Sequence, residues 1–177
     1  MRGADKIDWS RAIVDSASIR AVGGGGTGLN STDRGKPGST HHLVTDANGI
    51  PLSAILTGAN THDVTQLMPL MDAIPRVRGK RGSPRHRPDE VYADRGYDSE
   101  PHRQQLRSRG IQPHIAKRRT PHGSRLGAFR WVVERTLGWL HQNRRLRIRY
   151  ERRHDIHEAF LSIGYALISW NRLADPF

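Results

Sequence analysis

Apolar residues recur along this chain in two periods, and the periods predict its elements. Counting 100° per residue, Leu126, Phe129, Val133, Leu137 and Leu140 fall on one stripe, so residues 126 to 142 are expected to form a helix laid against a core. Ile156, Phe160, Ile163, Leu167 and Trp170 make a second stripe, expected to be the packing face of a closing helix. Short apolar runs read as buried strands at 11 to 15, with Ser16 to Ala21 as a continuation, and at 90 to 94. Between 41 and 58 two apolar runs flank Asn48-Gly49, a dipeptide suited to positive φ, which predicts an antiparallel hairpin. Asn60 is expected to cap a helix that has Asp63 in its first turn and Leu67, Leu70, Met71 and Ile74 on its apolar face. Ser99 and Gly110 bracket another helix, and Pro113 places the strand at 111 to 116 on a sheet edge.

Three segments depart from these periods. Residues 23 to 39 are dense in glycine and read as a loop, and Gly35-Lys36-Pro37 breaks the pattern a phosphate-cradling loop needs. Residues 75 to 89, rich in Pro, Arg and Gly, read as a second loop. Between 144 and 150, Leu146, Ile148 and Tyr150 alternate with Arg145, Arg147 and Arg149, predicting an extended segment with one guanidinium face, a helix being the alternative. The elements together predict an α/β fold with a mixed sheet of about five strands, the first three antiparallel, flanked by helices. A chain of 177 residues fits one domain, 1–177, able to bury roughly 70% of its unfolded surface.

Charge adds a partner. The formal net charge is +12, and 22 of the 29 Lys and Arg residues lie between Arg76 and Arg153 against 7 of the 17 acidic ones. A regional cationic surface suits a polyanion, nucleic acid being the commonest, and a merely solvated face is the bland alternative. Arg118 and Arg119 in a basic loop, Arg130 and His141 on the flank of the first helical stripe, and Arg145, Arg147 and Arg149 are the expected DNA contacts. The chain has no cysteine and no long apolar run, so a cytoplasmic protein with no membrane partner is expected.

Against this background three acids stand out. Asp15 and Asp94 each end an apolar strand, and Glu134 sits on the flank of the helical stripe beside Arg130. Two strand-end aspartates and a helix-borne glutamate form a candidate three-carboxylate metal site, a donor set that suits Mg²⁺ or Mn²⁺. His62 with Asp63 reads either as a metal pair or, more simply, as a capping aspartate next to a surface histidine.

IVDSASIRA around Asp15, GANTHDV at 58 to 64, YADRGYDS around Asp94, and RWVVERTLGWL around Glu134 followed by RRLRIRYER occur here in that order. Together they resemble bacterial DDE transposases of the insertion sequence five group, over about residues 7 to 173. The resemblance implies a ribonuclease H-like core in which Asp15, Asp94 and Glu134 are catalytic and hold two divalent ions. It also implies a double-stranded DNA partner, whose element ends, the terminal inverted repeats, are cut and joined to target DNA by a homodimer in a bacterial, nucleoid-associated setting. A cut-only nuclease and a silent DNA-binding remnant or regulator are the alternatives. In the related insertion sequence four group a Tyr, Arg, Glu and Lys recur at fixed spacing; here Arg130 and Glu134 fit, while Gly127 and His141 stand at the Tyr and Lys positions. Relatives carry an N-terminal DNA-binding region that this chain is expected to lack.

Overall fold

A computed structural model describes residues 6–79, 82–119 and 127–174. Its organising element is β1, Arg11–Ala21, which runs well beyond Asp15. Successive side chains of a strand point to opposite faces, and both faces of β1 are covered. Ala12 and Val14 pack with Trp9, Val44, Leu67 and Val91, whereas Ile13 packs with Leu43, Val133, Leu140 and Leu161. Two-sided burial is why this segment reads as a continuous apolar run.

Strand β3, Lys36–Asp46, lies antiparallel to β1, and β4, Pro51–Gly58, antiparallel to β3. On the other side β5, Glu90–Ala93, and β6, Gln112–Ile115, continue in parallel, with β6 at the edge where Pro113 has no donor to lose. Two short strands go beyond the five expected. Strand β2, Gly28–Asn30, pairs with the start of β3, and β7, Ile148–Arg149, with the end of β1. The loop expected over 23 to 39 is thus half strand.

The β3–β4 connection is a hairpin, but a wider one than a two-residue turn. Asp46 Oδ1 accepts the backbone N–H groups of Asn48 (2.9 Å) and Ile50 (2.8 Å), and only Gly49 takes a positive φ, of 90°. A 3-10 turn, Asp63–Gln66, leads into α1, Leu67–Asp72, with His62 in the capping position. Asn60 does not cap it, because its side chain lies over Gly28, where a Cβ would fall 1.8 Å from its Oδ1. Helix α2, Glu100–Ser108, ends before Gly110 at φ 76°.

Helix α3, Gly127–Gln142, fills the predicted span and buries Val133, Leu137 and Leu140; Phe129 is half-buried against Tyr92, and Leu126 lies outside the described residues. A single helical turn, α4, Arg144–Arg147, replaces the expected period of two. The last helix, α5, His154–Ala174, overturns its expected orientation. Its packed face is His157, Leu161, Gly164 and Ile168. Gly164 allows the close approach: a Cβ there would stand 2.5 Å from Leu146 Cδ1 and 3.0 Å from Leu140 Cδ2. Ile156, Ile163, Leu167 and Trp170 of the expected stripe are therefore exposed, and only Phe160 is partly buried against the core.

Candidate active site

Strand register assembles the first two acids. Ile13 of β1 stands beside Tyr92 of β5, so Asp15, midway along β1, and Asp94, just past the carboxyl end of β5, come side by side. Helix α3 crosses β1 and supplies the third. The nitrogen Nη2 of Arg130 lies 3.2 Å from Asp15 Oδ2, 3.3 Å from Glu134 Oε1 and 4.0 Å from Asp94 Oδ2. Three carboxylate oxygens from three elements thus surround one cationic nitrogen.

Two of the carboxylates are also oriented from behind. Asp15 Oδ1 accepts the N–H of Ser16 at 2.9 Å and Asp94 Oδ1 that of Gly96 at 2.8 Å, so each presents its other oxygen to the shared point. Burial pushes the Asp15 carboxyl above its usual range; Arg130 opposes this, and the Asp94 charge adds to it. Desolvation also disfavours the charged Arg130, but Asp15, Asp94 and Glu134 outweigh it and raise its pKa. Among the described residues, no three His, Asp or Glu side chains already form a group that could hold a metal ion.

A fourth carboxylate, read from sequence as a helix cap, enters the same cleft. A Cβ on Gly96 would lie 2.9 Å from Asp94 Oδ1 and 3.5 Å from Asp63 Oδ2, so the two acids flank a glycine that leaves room for both. Burial raises the pKa of Asp63, and Asp94 adds to the shift. His42 Nδ1 is 3.6 Å from Asp63 Oδ1, too long for a hydrogen bond. Burial lowers His42 to about 4, so the ring is neutral at pH 7. Tyr97, fully buried beside these groups, is shifted far upward by burial and by the Asp63 charge. The signal available in sequence was the acid of GANTHDV, which the capping reading absorbed.

The expected DNA contacts divide. Arg118 and Arg119 are exposed, Arg118 being tied by its N–H to Asp98 Oδ2 at 2.7 Å and by Nε to the Arg95 carbonyl at 3.0 Å. Arg147 is exposed, and Arg145 is exposed while paired with Glu151. Arg149 is a correction: it is 0% exposed, and its guanidinium donates to the carbonyls of Gly25, Gly26 and Glu151 and to Ser39 Oγ. It ties the glycine loop to β3 and does not face solvent. His141 turns inward, with Nε2 3.4 Å from His41 Nδ1; His41 Nε2 meets His157 Nε2 at 3.0 Å, and His157 Nδ1 meets Glu151 Oε2 at 3.0 Å. No helix among the described residues is long and apolar enough to cross a membrane.

Residues 10–171 match the family model described as the transposase DDE domain. A protein of Burkholderia cepacia assigned as the transposase for insertion sequence element IS402 is 65% identical over 173 residues, 97% of this chain and 81% of that protein. The transposase for insertion sequence element IS1106 of Neisseria meningitidis serogroup B is 32% identical over 117 residues, 60% of this chain and 37% of that one. Among solved structures, a piggyBac transposase synaptic complex with hairpin DNA superposes with TM-score 0.54 at 12% identity, covering 90% of this chain and 46% of the other. A simian T-cell lymphotropic virus intasome, in complex with the PP2A regulatory subunit B56 gamma, gives TM-score 0.50 at 14% identity, with 93% and 48% covered. At such identities the likeness is one of fold, and the chain spans about half the length of each.

Proposed function

Because the chain belongs to the transposase DDE domain family, we propose that it cuts DNA at insertion-sequence ends and joins the freed 3′-hydroxyl to target DNA, with Asp15, Asp94 and Glu134 as the cation-holding catalytic residues. The observation that carries this reading is the convergence of their oxygens on Arg130 Nη2. The donor set fits Mg²⁺ or Mn²⁺: all-oxygen, multiply anionic and open on one side, with half-exposed Glu134 at its rim. A pair of divalent cations held by Asp15, Asp94 and Glu134 would supply Lewis acidity to the scissile phosphate.

The protein's own part is positional. Ser16 and Gly96 hold Asp15 and Asp94 with one oxygen forward, and α3 carries Glu134 to the same point. Arg130 occupies that point in the free chain and must withdraw; its guanidinium then lies one helical turn from Glu134, placed to hold a phosphate of the bound DNA. Asp63 extends the anionic cleft beyond Asp94. Arg118, Arg119, Arg145 and Arg147 supply exposed cationic contacts to the DNA backbone.

The experiment is a cleavage and strand-transfer assay on DNA carrying the element ends, with Mg²⁺, comparing the parent with Asp15→Asn, Asp94→Asn and Glu134→Gln. Cutting and joining by the parent, and loss of both by at least about 100-fold in each variant, support the reading. Cutting without joining favours a nuclease, and DNA binding without either favours a silent binding protein.

A further inference from the structure

The outer face of α3 carries a stack of alternating indoles and guanidiniums. Trp131, Arg135 and Trp139 recur every four residues, so they line one face of the helix. The Arg135 guanidinium carbon lies 4.6 Å from the centre of the Trp131 ring and 4.7 Å from that of Trp139, and Arg172 of α5 follows at 5.6 Å from Trp139. Part of this stack is structural. Arg135 Nη2 and Arg172 Nη2 both donate to the carbonyl of Asn48, at 2.9 and 3.1 Å, and so tie the β3–β4 hairpin to the two helices. The remaining surface of the stack has no such use. Trp131 stands at its open end, 51% exposed. Among the described residues neither arginine has a carboxylate partner, and burial, followed by the charge of Arg172, lowers the pKa of Arg135.

Position and chemistry identify the occupant. Trp131 follows Arg130 in the chain and stands about 60° around the helix from Glu134, so the stack begins at the rim of the catalytic cleft. From there it runs about 12 Å along the helix axis. At its far end Trp139 and Arg172 line a second cleft, of about 560 Å³, between α3 and α5, with the side-chain amides of Gln142 and Asn171 beside them. Indole faces accept stacked bases, guanidiniums without a carboxylate hold phosphates, and amides hydrogen-bond base edges. A duplex covers its base faces with its own stacking, so only unpaired nucleotides can use such a surface. The stack starts where the proposed reaction parts a DNA strand, which favours a nucleotide strand over an acidic peptide.

We propose that the outer face of α3, from Trp131 to the cleft with α5, binds a short single-stranded stretch of DNA, with one base stacked on Trp131, phosphates held by Arg135 and Arg172, and a further base lodged beside Trp139. A span of about 12 Å takes roughly three or four nucleotides at the 3.4 Å spacing of one strand. The reason for an unpaired strand at this place rests on the proposed cutting beside Glu134. Its test does not, since it measures binding alone, without metal.

Fluorescence anisotropy in EDTA compares a short blunt duplex with the same duplex carrying a single-stranded thymidine extension of about four nucleotides on its 3′ or its 5′ strand. The stack predicts that the full chain binds one of the extended duplexes at least about 10-fold more tightly than the blunt one. An abasic extension, which keeps the phosphates and removes the bases, should lose most of that gain. Trp131→Ala should cut the gain to about 2-fold or less. Because residue 131 is half-exposed, this variant keeps the circular dichroism of the parent and its affinity for the blunt duplex, and Trp131→Phe should restore the gain. Three outcomes overturn the proposal: a parent that binds extended duplexes no better than the blunt one, or binds none of them; an abasic extension as effective as thymidine; and a Trp131→Ala variant that keeps the gain. The two readings fail separately. A parent that shows the gain but neither cuts nor joins DNA keeps the stack and removes the catalysis, whereas cutting and joining without the gain removes the stack alone.

Discussion

The guanidinium of Arg130 stands 3.2 Å from the Asp15 carboxylate, at the point where Asp94 and Glu134 also converge. A single positive charge there neutralises part of an anionic cluster that would otherwise repel itself, and it competes with any divalent ion for the same oxygens. Arg130→Gln is expected to bind Mn²⁺ about 10-fold more tightly in the absence of DNA, a change on the order of 1.4 kcal/mol. Calorimetric titration of the DNA-free protein measures it. The same variant should melt lower than the parent without metal and gain more from added Mg²⁺. Equal or weaker Mn²⁺ affinity would show that Arg130 does not occupy the ion's place.

Asp63 stands beside Asp94 with Gly96 between them. As a fourth acid of the cleft it should contribute to cation binding without being needed for folding. Asp63→Asn is expected to weaken Mn²⁺ affinity several-fold while leaving the urea midpoint equal to or above that of the parent, since its raised pKa shows that the buried charge is a burden on the fold. Unchanged Mn²⁺ binding would return Asp63 to the helix start as a local feature.

Arg147 and Arg149 separate surface from interior. Replacing exposed Arg147 with Ala should lower the log-log salt slope of DNA binding by about 1 and leave stability within about 0.5 kcal/mol. Arg149→Met strands the acceptors of Gly25, Gly26, Glu151 and Ser39 and should cost about 3–5 kcal/mol in urea unfolding, with no separate effect on the slope.

Acid should destabilise the fold through its histidines. Burial lowers the pKa of His41, His42, His141 and His157, His42 to about 4. Each is neutral when folded and takes up a proton when unfolded, so stability is complete above about pH 6.5 and falls as pH drops toward the folded values. His42 alone accounts for roughly 2 kcal/mol by pH 5. Asp15 and Asp46, whose pKa values burial raises, act in the opposite direction at lower pH. Urea unfolding at pH 7.5 and pH 5.5 checks the sign; equal stability at both would mean that these rings are protonated in the folded chain.

Strands and the long helices were legible because burial imposes a period: two-sided apolar runs gave β1 and β5, and the stripe through Val133, Leu137 and Leu140 gave α3. Asp94 was legible as a strand end and Glu134 as a helix flank, whereas Asp15, read as a strand end, sits midway along β1. Other features depend on contacts between segments far apart in the chain. Periodicity identifies an apolar stripe but not what it faces, and Gly164 against Leu146 decided that the stripe of α5 looks outward. Arg149 read as surface because arginine usually is, and only the carbonyls of residues 25 and 26 make its burial possible. Asp63 read as a cap because nothing local reveals that Gly96 and Asp94 come to meet it.

The proposed chemistry needs three acids sharing cations, and counting bound Mn²⁺ by electron paramagnetic resonance tests that directly. With DNA present to draw Arg130 away, the parent should bind Mn²⁺ saturably, and Asp15→Asn, Asp94→Asn and Glu134→Gln, each folded, should each weaken that binding by about 10-fold or more. Folded variants that bind as much Mn²⁺ as the parent, with the same affinity, would contradict it.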